Sequence, residues 1–411
     1  MNIVQFLKKN PMLFTLIVVI LFFDVWIRFA TNTALTAPRN VTNLIAQNGH
    51  IVILAIGMLL CILTGGNIDL SIGSMLCLVA ALGSTLIVKW NNNVYIGENF
   101  ILLHGNIYTS IALCLLLGII LGAIQGYWIA YVRIPAFIVT LAGMLTFRGL
   151  ALVLLKGQTI SPMPKNYNLY LGGLLPVIPP GLPQNEVAAI RMKTAVIAGA
   201  VICATVVVIK IFCRLSKLCK NYEVEVPSWT WVWVRLLIIC SVIMSVFYCF
   251  GIDRGIPVVL IISGVVVLAY YYYTSQTVPG RYLYAMGGNE KAARLSGINT
   301  NGVLFFAYTN MGFLAAVAAL VCMARFNSAF PDLGRGYELD AIGACFIGGA
   351  SAYGGVGTVG GTLIGTIFMG VLNNGMSILG INVNWQQAVK GMVLLAAVAI
   401  DVISKKRKGT A

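Results

Sequence analysis

Apolar segments of about 20 residues recur along nearly the whole chain, and the polar stretches between them are too short to form a separate domain. Because about 20 apolar residues of α-helix cross the hydrocarbon core of a bilayer, this pattern predicts an all-α fold, a polytopic transmembrane helical bundle. We expect residues 1–411 to form a single membrane domain. The predicted segments are residues 12–30, 43–63, 68–88, 108–131, 135–155, 187–212, 230–250, 256–273, 301–322, 339–352, 358–379 and 384–403.

The amino-acid composition also indicates a membrane protein. Hydrophobic residues make up 59% of the chain and charged residues only 9%, whereas a soluble domain carries roughly 25% charged residues. The ten cysteines show no CxxC or CxxH spacing, so neither a disulfide framework nor a zinc site is predicted. No cleavage-site signature follows the first apolar segment, which we therefore expect to be retained as a membrane span.

The basic residues that give the chain its net charge of +15 are dispersed in short loops beside the apolar segments. Lys and Arg in such loops set membrane orientation, so we expect contact with membrane lipid and no nucleic-acid partner. The positive-inside rule places both termini in the cytoplasm, together with the basic residues of 8–9, 210–220, 281–294 and 405–408. Both termini on one side require an even number of spans, and about 10–12 fit.

Paired glycines interrupt two of the apolar segments. Leu63–Ser74 reads LTGGNIDLSIGS, and Phe346–Thr358 reads FIGGASAYGGVGT. We predict broken or re-entrant helices at these two places, because backbone groups freed from a helix in the membrane need protein, water or a ligand as partners.

The two glycine-rich stretches also indicate an internal repeat. Each is followed in the same order by a second similar motif, Gly122–Gly126 in the first half and Gly370–Gly375 in the second. Transporters are often built from duplicated halves with broken helices at their interface. We therefore predict one repeat at about 40–160, variable central spans at about 160–275 and a second repeat at about 280–405.

A group of polar residues within or beside the apolar segments provides candidates for a translocation pathway. A neutral, polyhydroxylated solute binds such side chains through hydrogen bonds, and the alternative is that they join helices to one another. For Asp69 the alternative is capping of a helix start. Arg148 and Lys390 lie near predicted span ends, where we expect them to snorkel. The candidates are Asn67, Asp69, Gln125, Asn373, Asn374 and Gln387.

Sequence motifs for chemistry are absent. The glycine-rich residues 348–361 lack the Lys followed by Ser or Thr that binds nucleotide phosphates, and no such loop occurs elsewhere in the chain. We therefore expect no cofactor in this chain, so that ATP, if used, is bound by a partner subunit. With two histidines and twelve acidic residues, no acid/base pair or metal cluster emerges, and we do not expect an enzyme.

A short polar segment, Met286–Ile298, stands between two apolar runs. Asn289 is a favourable N-cap, Glu290 suits a helix start, and Gly297 suits the left-handed C′ position. These residues predict about two turns of amphipathic helix with Lys291 and Arg294 on one side. A helix of this kind either lies on lipid or binds a soluble partner.

Three stretches together resemble the permease subunit of ABC importers for monosaccharides, a family that includes ribose, xylose and galactose systems and is related to branched-chain amino-acid permeases. The stretches are Gly65–Gly73 (GGNIDLSIG), Ile134–Leu141 (IPAFIVTL) and Gly287–Gly297 (GGNEKAARLSG). Glu338–Ser351 and Gly370–Leu379 are most similar to the galactose and multiple-monosaccharide branch. The resemblance covers about 40–160 and 275–405, and residues 165–230 offer no motif to transfer.

This resemblance implies a non-enzymatic, multi-pass permease in the bacterial inner membrane. The implied partners are a second copy of the chain, a cytoplasmic ABC ATPase, an extracytoplasmic sugar-binding protein and a monosaccharide. The resemblance also implies that one stretch is the cytoplasmic coupling helix gripped by the ATPase. That stretch consists of Gly287, Gly288, Asn289, Glu290, Lys291, Ala292, Ala293, Arg294, Leu295, Ser296 and Gly297.

Two other classes of transporter remain open from the sequence. An ion-coupled secondary transporter of a small polar solute uses similar broken helices, but it needs a cation site, for which the sequence offers only Asp69. An ABC permease for another cargo, such as amino acids, fits the same motifs.

Overall fold

The computed structural model of the chain describes residues 11–90, 107–178, 182–219 and 229–407. Most of the residues between the predicted segments 68–88 and 108–131 lie outside these ranges, as do the predicted cytoplasmic residues Lys8, Lys9, Lys220 and Lys408. The described helices are α1 (Pro11–Thr31), α2 (Pro38–Leu63), α3 (Ile72–Ser84), α4 (Ile107–Ala130), α5 (Ala136–Leu155), α6 (Lys165–Leu171), α7 (Gln184–Cys219), α8 (Trp229–Ile252), α9 (Val258–Gln276), α10 (Val278–Gly288), α11 (Glu290–Leu295), α12 (Thr300–Phe326), α13 (Tyr337–Ile347), α14 (Val359–Ile378) and α15 (Val383–Arg407). A π-helical turn, Thr85–Trp90, extends α3, and strand β1 (Leu174–Leu175) pairs antiparallel with β2 (Ile256–Pro257).

Among the described residues, nine helices are long and apolar enough to cross a membrane. The 20-residue α14 and α3 with its π-helical extension are further apolar elements of the bundle. The predicted all-α, polytopic bundle is therefore confirmed. The cytoplasmic placement of both termini stays a prediction.

Helices α2 and α12 form the core of the bundle. In their most apolar parts 78% and 67% of the residues are buried, compared with 11% in both α7 and α8. The side chains of α2 are apolar on nearly all sides over Ile51–Leu63, which is typical of a helix surrounded by other helices. The outer helices α7 and α8 leave many apolar side chains exposed, as expected of helices that face lipid.

Helix α4 crosses α12 at very short range through glycines. A Cβ atom on Gly312 would lie 2.1 Å from the carbonyl oxygen of Gly118 and 2.8 Å from the Cα of Gly122. Small residues at such a crossing allow the two backbones to touch, which is how helices associate tightly in lipid. The glycines of the Gly122–Gly126 motif therefore serve helix packing.

Replacing Gly312 by Ala is expected to destabilise the protein by roughly 1–3 kcal/mol, because the added methyl meets backbone atoms that cannot rotate away. The matched control is Gly149→Ala on α5, where the new Cβ has no atom of the described protein within 4 Å. The melting temperature of each variant is measured by thermal unfolding in detergent. An unchanged melting temperature for Gly312→Ala would contradict the close crossing.

The two predicted helix breaks occur and meet each other in space. After Leu63 the chain turns through Gly65 and Gly66, both with positive φ, before α3 begins. The second break, residues 348–358, separates α13 from α14, and the amide of Gly355 donates to the carbonyl of Leu63 at 3.1 Å. The first break thus packs directly against the second.

The opposite end of the bundle is covered by residues 156–178. Helix α12 begins at Thr300, whose hydroxyl donates to Glu290 at 3.4 Å, and it ends just before Asn327. The side-chain oxygen of Asn327 accepts from the amide of Met163 at 2.9 Å and from Asn168 at 2.6 Å. The two ends of α12 therefore lie at opposite ends of the bundle. We call the end that carries Met286–Ile298 the polar-segment end, and the opposite end carries residues 156–178.

Candidate functional site

The polar segment forms the helix that its sequence predicts. The side chain of Asn289 accepts from the amide of Ala292 at 3.0 Å, so Asn289 is the N-cap of α11. Gly297 has φ +82°, and the amides of Gly297 and Ile298 donate to the carbonyls of Arg294 and Ala293, both at 3.1 Å. These two bonds are a Schellman motif. The helix is fixed at both ends by its own residues.

The outer surface of α11 combines one apolar side chain with two cations. Leu295 is 91% exposed, while Ala293 is buried against the bundle. Lys291 and Arg294 are both exposed. A rigid helix with a fully exposed Leu beside Lys and Arg is suited to bind a partner that has an apolar pocket with an acidic rim.

The first residue of α11 is joined to a distant turn by an ion pair. One Glu290 carboxylate oxygen accepts from Arg133 Nη1 at 2.7 Å, and both side chains are about 40% exposed, at 42% and 39%. The other terminal nitrogen of Arg133 donates to Asn301 in the first turn of α12. Sequence reasoning missed Arg133. One sequence feature points to Arg133: it is the only Asp, Glu, Lys or Arg among residues 107–147.

A cavity of about 370 Å³ lies between the polar segment and the first helix break. Its wall includes Asn67 from the break, Arg133 from the turn between α4 and α5, and Gly287–Glu290 from the polar segment. Three of the stretches that the sequence analysis singled out, 65–73, 134–141 and 287–297, therefore meet around one cavity.

Asp69 and Gln125 belong to one buried hydrogen-bonded group. One carboxylate oxygen of Asp69 accepts from the amide of Ser71 at 2.8 Å and from its hydroxyl at 2.7 Å. The same hydroxyl accepts from Gln125 Nε2 at 2.9 Å. Ser71 is the N-cap of α3 and makes no side-chain capping bond, so Asp69 holds the turn before the helix and does not cap its free amides. Asp69 is completely buried, which favours the packing interpretation over direct contact with a solute.

The predicted pathway residues near the C-terminal end of the chain lie elsewhere. Asn373 on α14 donates to Asp340 at 3.3 Å, and Asn374 donates to the carbonyl of Asn40 at 3.4 Å. Gln387 is exposed on α15. The structure thus places Asn67, Asp69 and Gln125 near the first break and the other candidates in a second region. Their role in translocation stays a prediction.

Two charged residues make contacts that the sequence analysis did not predict. Lys390 does not snorkel: its ammonium group lies 3.0 Å from Asp340 Oδ2, and the two side chains are 16% and 3% exposed. Arg148 donates to the carbonyls of Pro331 at 2.9 Å and Leu333 at 2.8 Å. The snorkelling prediction was wrong for Lys390, because its charge finds a buried partner within the bundle. For Arg148, which is half-buried, it stays a prediction.

Comparison with known proteins decides the family. Residues 40–398 match the family described as the permease component of branched-chain amino acid transport systems. The chain belongs to this family of permeases. It is therefore a transport component and not an enzyme, and with its apolar helices it is a multi-pass protein of the bacterial inner membrane.

Individual relatives of this permease cover nearly its whole length. It is 34% identical to the xylose transport system permease protein of Haemophilus influenzae over 98% of each chain. It is 33% identical to the corresponding Escherichia coli K12 protein, over 97% of this chain and 93% of that one. The ribose import permease protein of Escherichia coli K12 is 33% identical, over 88% of this chain and 85% of that one. No solved structure matches this permease.

Proposed function

We propose that this protein is the membrane subunit of an ATP-binding-cassette importer that passes a monosaccharide into the cytoplasm. The relatives named for xylose and ribose transport support a sugar as the cargo, in preference to the amino acids in the family description. In this proposal the binding protein selects the sugar, and the permease passes on what that protein releases. The proposed repeats at about 40–160 and 280–405 then flank one translocation pathway.

The observation that supports ATP-driven transport most strongly is the outer surface of α11. An apolar side chain 91% exposed, Leu295, stands on a helix whose ends are fixed by Asn289 and by the Schellman motif. Burial of the Leu295 side chain in an apolar pocket of a partner contributes about 1.5–3 kcal/mol. An acidic rim around that pocket would add favourable contacts with Lys291 and Arg294.

The proposed partners follow from that surface and from the family. A cytoplasmic ABC ATPase grips Gly287–Gly297, and it supplies the ATP site that this chain lacks in its sequence. A second copy of the permease completes the membrane part. An extracytoplasmic sugar-binding protein docks on the opposite end of the bundle, the end that carries residues 156–178.

Ion-coupled secondary transport is disfavoured by the relatives of the chain, which are named as permease proteins of transport systems. A sodium or proton site needs a carboxylate whose charge is available to the ion. Among the described residues, Asp340 is neutralised by Lys390 at 3.0 Å, whereas Asp69 bonds Ser71 through one oxygen and its other buried oxygen has no hydrogen-bond partner. The relatives, more than these carboxylates, therefore support an external source of energy.

Copurification tests the proposal. The permease is expressed with an ABC ATPase and a sugar-binding protein of the same organism, and complexes are isolated through a tag on the permease. We expect the ATPase to copurify and its hydrolysis rate to rise when binding protein loaded with xylose, ribose or galactose is added. Stimulation by a leucine-loaded binding protein instead would contradict the sugar assignment. Absence of any ATPase in the isolated material would contradict the proposed function.

A further inference from the structure

Arg133 joins three elements at the polar-segment end of the bundle. Its backbone lies in the turn between α4 and α5, while its guanidinium donates to Glu290 at the start of α11 and to Asn301 at the start of α12. A guanidinium is planar and presents its N–H groups in a rigid fork. It therefore holds two acceptors at a fixed distance from each other, which a flexible Lys does not.

The backbone of Arg133 adopts a conformation that requires support from its surroundings. Its φ is +64°, in the left-handed region that residues with a side chain rarely adopt. Such conformations persist where neighbouring contacts hold them, and they cluster at functional sites. The contacts with Glu290 and Asn301 provide that support here.

Helix α4 connects Arg133 with the first helix break. Gln125, two turns before Arg133, donates to Ser71 at 2.9 Å, and Ser71 in turn binds Asp69. The same helix is fixed to α12 through the close contact of Gly122 with Gly312. A displacement of Arg133 along α4 is therefore transmitted to Ser71.

Gly287 packs directly against the carbonyl of Leu63, whereas the start of α11 is separated from Asn67 of the first break by a cavity. Its volume of about 370 Å³ lies between Asn289–Glu290 and Asn67 of the first break. Arg133 lines the cavity and reaches Glu290 at its edge. The empty volume leaves room for α11 to move relative to Asn67, and the ion pair connects α11 to the turn between α4 and α5 at the edge of the cavity.

We propose that Arg133 is a positioning residue that transmits movement of α11 to α4 and to the first helix break, so that ATP hydrolysis by the partner opens the translocation pathway. This inference rests on the proposed function of the permease.

A charge exchange tests the proposal in the complete complex reconstituted in proteoliposomes. Arg133→Glu and Glu290→Arg are made singly and together, and the readout is sugar taken up per ATP hydrolysed. Because each single change places like charges together, we expect the ratio to fall by about tenfold or more. The double exchange restores the opposite charges and is expected to return the ratio to within about threefold of the original.

The matched control is Arg28→Glu, which disrupts another Arg–carboxylate pair of 2.7 Å, with Asp24 on α1. For this variant the amount of sugar taken up per ATP hydrolysed is expected to stay at the original value. If Arg133→Glu fails to reach the membrane, Arg133→Gln removes the ion pair without repulsion and is expected to lower the ratio in the same direction.

Unchanged ratios in the single variants, or a double exchange that recovers nothing, would overturn the role of Arg133. A failure of ATP-driven uptake in the unaltered complex would instead overturn the proposed function, so the two failures are distinguishable.

Discussion

Leu295→Asp is expected to lower ATP-driven sugar uptake by about 100-fold or more while the permease still inserts in the membrane. The Leu295 side chain is 91% exposed, so its replacement disturbs no packing within the described protein. In a complex with the ATPase the change removes about 1.5–3 kcal/mol of apolar burial. It also places an unpaired carboxylate in an apolar pocket, which costs further free energy. Together these exceed the roughly 2.7 kcal/mol that corresponds to 100-fold.

Two matched variants accompany this change. Leu295→Met keeps an apolar side chain of similar volume and is expected to retain most of the uptake. Arg294→Glu reverses one charge on the same exposed surface and is expected to lower uptake, because it opposes an acidic rim on the partner. Uptake is measured with radiolabelled sugar in proteoliposomes, and the amount of inserted permease is measured in parallel. Full uptake by Leu295→Asp would show that the ATPase does not bind this surface.

Lys390→Met is expected to destabilise the permease by about 3–5 kcal/mol, the usual cost of leaving one member of a buried ion pair without its partner. Asp340 is only 3% exposed, so water does not compensate its charge once the ammonium group at 3.0 Å is gone. The measurement is the thermal unfolding temperature in detergent, together with the yield of monodisperse protein.

The exposed pair Arg335–Asp332 provides the control for the buried one. Its side chains are 69% and 76% exposed, so Arg335→Met is expected to change stability by at most about 1 kcal/mol. A double variant, Lys390→Met with Asp340→Asn, carries no net buried charge and is expected to recover much of the loss. Equal stability of Lys390→Met and the unaltered permease would contradict the buried pair.

The local structure of the bundle was predictable because it depends on residues that are close to one another in the sequence. Apolar segments longer than 18 residues identify spans directly, and the predicted segment 135–155 differs by one residue from α5, Ala136–Leu155. The N-cap at Asn289 and the left-handed Gly297 follow from side-chain chemistry within one helical turn. The paired glycines likewise predicted the breaks at Gly65–Gly66 and Gly348–Gly349.

The contacts that organise the candidate site were not predictable in this way. Arg133 and Glu290 are 157 residues apart in the chain, and no periodicity relates them. Lys390 and Asp340 are 50 residues apart, and their pairing depends on how α13 and α15 pack. A lone charge in an apolar segment indicates that a partner exists. Only the packed bundle indicates which partner it is.

The role of the two later glycine motifs was predictable only in part. The sequence identifies Gly122–Gly126 and Gly370–Gly375 as related motifs, and in the structure both lie within continuous helices. Gly122 contacts Gly312 of α12, and Gly370 contacts Asn48 of α2. The sequence alone does not show whether a glycine allows two helices to pack closely or interrupts a helix. The tertiary contacts distinguish these two roles.

Uptake in proteoliposomes tests the central claim most directly. The permease is reconstituted alone, and also with its ATPase and its binding protein, and labelled xylose, ribose and galactose are supplied from the binding-protein side. We expect uptake against a concentration gradient only in the complete system with ATP, and none when a sodium or proton gradient replaces ATP. Concentrative uptake by the permease alone, driven by an ion gradient, would contradict the assignment of an ATP-driven importer.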